Sequence, residues 1–75
     1  MKNEVGNEIG KVVFSRGMME KVYPIYDTMN ITFRGVRING RRPSEYRIER
    51  SVKSKEMDKY FEYIERIAKV ALEQV

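Results

Sequence analysis

Six arginines lie between positions 34 and 50 (Arg34, Arg37, Arg41, Arg42, Arg47 and Arg50), with only Glu45 and Glu49 among them. That window carries a net +4, equal to the formal charge of the whole 75-residue chain, so the rest is electrically balanced. Arginine presents five N–H donors in a planar fork that meets phosphate or carboxylate with two parallel hydrogen bonds and stacks on flat rings. A local arginine excess is therefore the footprint of a surface that meets anions.

Catalytic chemistry has much less to work with. The chain contains no His and no Cys, the side chains most easily tuned toward neutral pH and the usual zinc ligands. The carboxylates stand among cations, as Glu56 and Asp58 do beside Lys55 and Lys59, and Glu62 and Glu65 beside Arg66. Pairing at i,i+4 is their expected role. Ser15, Ser44, Ser51 and Ser54 sit in no nucleophile motif, and Gly35 and Gly40 belong to no phosphate-binding loop. The expectation is a protein that is not an enzyme and that uses no cofactor and no metal.

The elements that must position the arginines read first as a β-hairpin. Apolar runs at 31–38 and 46–52 flank Asn39-Gly40, and the following Pro43 cannot donate to a central ladder. In the second run Tyr46, Ile48, Arg50 and Val52 share one face. In the first, Ile31 and Phe33 lie on one parity, Val36 and Ile38 on the other, which predicts a β-bulge at Arg34-Gly35. Pairing Val36 and Ile38 with Ile48 and Tyr46 sets Arg37 opposite Arg47 on the outward face. Like charges opposite one another are destabilising unless Glu45 and Glu49 neutralise them or an anion lies between them.

The remainder supports this ribbon. Residues 1–8 are polar and read as a flexible lead-in to a single domain over 9–75. A strand is predicted over 9–16, and an edge strand over 20–26, where Pro24 excludes a central position. Residues 27–30 turn into the hairpin. From 54 to 75 there is no Gly or Pro; Ser54 is placed to cap a helix, and Met57, Phe61, Ile64, Ala68, Ala71 and Val75 repeat at helical spacing. The fold class is therefore α+β: a small antiparallel sheet of three or four strands packed against one long C-terminal helix, with the arginine-bearing sheet face open. A core this small, with no disulfide to staple it, predicts a homodimer; the helix stripe, Ala68 and Ala71 included, reads first as core packed against the sheet, with a dimer contact by the last two turns as the alternative. No run is long enough to span a bilayer and the first residues form no apolar leader, so a cytoplasmic protein without membrane contact is expected.

Strands followed by one C-terminal helix is an order similar to that of small dimeric single-strand-binding folds such as the transcriptional-coactivator family. The resemblance is of order alone and transfers no residue. From the residues themselves, the expected partner is DNA or RNA, with Arg34, Arg37, Arg41, Arg42, Arg47 and Lys53 neutralising phosphates in a regulatory or accessory role. Phe33 and Tyr46 point toward the helix in this pattern, which disfavours base stacking. The alternative is a small inhibitor or adaptor, of viral or mobile-element type, that docks its arginine tip onto an acidic protein partner. A third reading has the arginines only protecting a sheet edge, a task more often given to Lys.

Overall fold

The computed structural model describes residues 6–27 and 31–73. Residues 1–5 of the expected lead-in, most of the turn expected at 27–30 and the last two positions of the expected helix lie outside them. Strands β1 (Glu8–Arg16), β2 (Met19–Tyr26) and β3 (Glu45–Arg50) precede helix α1 (Lys55–Glu73). They form one antiparallel sheet in the order β2-β1-β3, packed against the helix, an α+β arrangement.

β1 takes the centre because its residues are apolar on both faces: Val12, Val13 and Phe14 are all buried. It turns into β2 through Gly17, whose φ of 63° is open to glycine at little cost. β2 is the edge strand that Pro24 requires, with Pro24 opposite Lys11. The helix starts where its cap predicts, since Ser54 Oγ accepts from the Glu56 N–H (3.2 Å) and the Ser54 carbonyl from the Met57 N–H (3.0 Å). Its stripe of Phe61, Ile64, Ala68 and Ala71 is buried against the sheet. The two alanines are part of the core, as the stripe predicts. Gly10 lets Phe61 come near: a Cβ there would lie 3.2 Å from Phe61 Cζ and against the Glu49 carbonyl oxygen.

The expected hairpin is where the structure departs from the sequence reading. Residues 31–38 form no strand, and β3 pairs with β1 instead. At Gly35 (φ 76°) the chain turns, with the Val36 N–H donating to the Phe33 carbonyl (3.3 Å), so the change of parity marks a tight turn and no bulge. This turn sends Ile31, Phe33, Val36 and Ile38 all inward. The physical reason is coverage: one helix spans only part of a three-stranded sheet, and the apolar face of β2 needs a second lid. Phe33 supplies it, standing edge-on to Phe14 (5.1 Å between centroids) and Tyr23 (5.6 Å). Asn39-Gly40 does make the expected two-residue turn, with φ of 55° and 80° and reciprocal Ile38–Arg41 bonds of 2.7 and 3.0 Å. It reverses a covering loop rather than joining two strands.

Candidate nucleic-acid interface

The pairing register sorts the arginines. Opposite residues of an antiparallel pair share a face, so Lys11, Val13 and Ser15 of β1 lie with Glu20, Val22 and Pro24 of β2 and with Glu45, Arg47 and Glu49 of β3. This is the sheet face turned away from the helix, and it holds two cations against three carboxylates. The expectation of an open, arginine-bearing sheet face is corrected accordingly. Arg47 stands opposite Val13, not Arg37. Its Nε donates to Glu49 Oε2 (2.8 Å), and its Nη1 reaches across β1 to Glu20 Oε2 (3.5 Å). The hydrogen bond from Arg47 is the foremost cause holding Glu49 below the ordinary carboxylate value of 4.5. The same bond raises Arg47.

On the other face Arg50 is also taken up. Its guanidinium lies 4.4 Å from the Phe61 ring centroid, and its Nη1 donates to Asp58 Oδ1 at 3.0 Å. Tyr46 is half-buried with its hydroxyl 3.4 Å from Glu65 Oε2. Burial first, then Glu65, pushes this phenol above its usual value of 10. Phe33 is in the core, edge-on to other rings, and offers no face to a base.

The loop arginines are held differently. Arg16 Nη1 donates to the Arg42 carbonyl (2.8 Å), Arg42 Nη1 to the Leu72 carbonyl at the end of the helix (3.5 Å), and Arg37 Nη1 to the Val36 carbonyl (3.1 Å). Lys21 Nζ donates to the Arg37 carbonyl (3.1 Å). Arg41 is exposed beside Arg16, the two sharing a shallow groove with Met19, Ile38 and Asn39. Carbonyl dipoles position a cation without cancelling its charge. Among the described residues, no ion pair within 4.0 Å involves Arg16, Lys21, Arg37, Arg41 or Arg42. These five cations follow one another from β2, along the loop, to the end of β1.

The six residues expected at the site therefore separate. Arg37, Arg41 and Arg42 are brought together. Arg34 is exposed at the Gly35 turn, beside Arg66, Ile67 and Val70 of the helix. Arg47 lies on the opposite sheet face and is neutralised. Lys53 sits at the far end, next to Lys55 and the helix start. Arg16 and Lys21 were missed by the sequence reading because they fall outside the arginine-rich window. The only hint was that Arg16 precedes a Gly turn that returns toward any loop covering the sheet.

Among the described residues, the core holds no buried polar or charged side chain, no group of three or more acidic residues is placed to hold a metal, and no helix is long and apolar enough to cross a membrane. No protein-family model, curated protein or solved structure matches the chain.

Proposed function

We propose that this protein binds nucleic acid through its phosphate backbone, using Arg16, Lys21, Arg37, Arg41 and Arg42 along the covering loop and the adjoining strand ends. The observation that carries the reading is the division of the cations. Arg47 and Arg50 are matched to carboxylates, while Arg16, Lys21, Arg37 and Arg42 are oriented by carbonyl oxygens, Arg41 is exposed, and all five keep their charge. A row of positioned, uncompensated guanidinium groups gains little within the folded chain and gains counterion release on meeting a polyanion. Since Phe33 is in the core and the Tyr46 hydroxyl is held against Glu65, backbone contact rather than base stacking supplies the affinity.

The test is fluorescence anisotropy of labelled single-stranded DNA, duplex DNA and RNA, titrated at about 50 and 200 mM salt. Five phosphate contacts on a duplex give a log–log slope near about −4.5, or a ~500-fold loss of affinity over that range. Binding with such a slope supports the proposal, and the preferred oligomer names the substrate class. Absence of binding at the lower salt to every oligomer contradicts it and moves the loop arginines to an acidic protein partner.

A further inference from the structure

β3 is an edge strand, and among the described residues its outer side pairs with nothing. The Ser51 N–H donates to the Ile9 carbonyl (2.9 Å), which sets the alternation of the ladder. Odd-numbered residues of β3 turn their backbone groups to β1, and Tyr46, Ile48 and Arg50 turn theirs outward. Alongside, between this edge and the helix, lies a groove of about 490 Å³ lined by Tyr46, Ile48 and Phe61 together with the charged Arg50, Asp58, Glu62 and Glu65. Tyr46 and Ile48 are only half-buried there, on the face that otherwise belongs to the core. A free backbone edge with half-buried Tyr46 and Ile48 beside an unfilled groove is a site that accepts another strand.

We propose that the occupant is a second copy of this chain, with β3 pairing antiparallel to β3 about a twofold axis at Ile48. The argument is charge complementarity. A twofold axis perpendicular to the sheet keeps each side chain on its own face, so the axis must pass a residue rather than a gap between residues. An axis at Arg47 sets Arg47 against Arg47 and Glu45 against Glu49, both repulsive. An axis at Glu49 sets Glu49 against itself. An axis at Tyr46 matches Arg47 to Glu45 but keeps only residues 45–47 of β3 within the paired strands and sets Arg50 against Arg42. The axis at Ile48 sets Arg47 against Glu49 twice on the open face. On the groove side it stacks Ile48 on Ile48 and lays Arg50 against Tyr46.

In that register the two Ile48 side chains close the mouth of the groove. Each Arg50 then lies near the Tyr46 whose hydroxyl is held by Glu65. Charges on an edge strand ordinarily discourage pairing of any kind. Alternation of sign over Glu45–Arg50 instead admits a matched register and rejects shifted ones. The pairing uses none of the five loop cations, so the dimer does not depend on what those loops bind.

Sedimentation equilibrium on the full chain tests it, with an expected mass of twice 8.9 kDa at high-micromolar concentration. Arg47→Glu and Glu49→Arg should each sediment as monomers, because each sets like charges opposite one another. Mixed in equal amounts they should form a heterodimer, two carboxylates on one strand meeting two guanidinium groups on the other. Their formal charges become +2 and +6 from the native +4, so overall attraction cannot explain association. The chain has no Cys, and directly opposite residues lie within disulfide reach. Mild oxidation should therefore cross-link Ile48→Cys and not Arg47→Cys. This pair decides the matter should a charge-reversal variant lose its helical circular dichroism. A monomeric wild-type chain overturns the proposal, as does a dimer indifferent to both reversals, or cross-linking at Arg47→Cys in preference to Ile48→Cys.

Discussion

Arg50 and the loop arginines differ in what lies beside them. Arg50 has an aromatic face at 4.4 Å and a carboxylate at 3.0 Å, so it ties β3 to the helix. Arg50→Ala is expected to lower stability by about 1 to 2 kcal/mol in urea denaturation, and Arg50→Lys to recover only part of that, because an ammonium group lacks the planar stack. Gly10 makes a complementary case. The Cβ of Gly10→Ala would press on the Glu49 carbonyl and on Phe61, and an overpacked contact of this kind costs about 1 to 3 kcal/mol. Tyr46 and Tyr60 are both raised above 10, chiefly by burial. Their neutral forms are the ones the fold favours, so stability is intact below pH 10 and falls as pH rises through the folded values. Denaturation followed on the alkaline side should show this decline, and Tyr46→Phe should lessen it.

At the scale of elements, the helix and the first two strands were legible in the sequence. A 3.6-residue stripe that continues from Met57 to Ala71 without Gly or Pro has few other readings, and Pro24 alone confines β2 to an edge. The covering loop was not legible. Ile31, Phe33, Val36 and Ile38 alternate as a strand does on either side of Gly35, and Asn39-Gly40 makes the same turn whether it joins strands or reverses a loop. Only the uncovered face of β2, a tertiary fact, decides between them. The arginine excess was equally plain, but its partition was not. That Arg47 is neutralised depends on a register that places Glu20 within reach across β1, and Arg16 and Lys21 join the group through contacts 26 and 16 residues away in sequence. If the loop is core, Phe33→Ala should cost about 3 to 5 kcal/mol, as much as Phe61→Ala, and should abolish cooperative unfolding in a domain this small. A loop that only decorates the sheet would leave the melting transition unchanged. Ser54→Ala, which removes one capping bond, should cost about 1 kcal/mol by the same measurement.

For the whole molecule, the fold separates two kinds of cation that composition alone treats as equal. The direct measurement is the salt dependence of nucleic-acid affinity for two double variants of equal charge. Arg41→Ala with Arg42→Ala removes two uncompensated guanidinium groups from the loop. Arg47→Ala with Lys53→Ala removes the same charge from the opposite sheet face and the far end. The first pair should flatten the log–log slope by about 1.8 and weaken binding to all sequences alike, while the second should leave the slope at the wild-type value. Equal flattening by both pairs would contradict the account, because affinity would then follow net charge and not the arrangement of the loop.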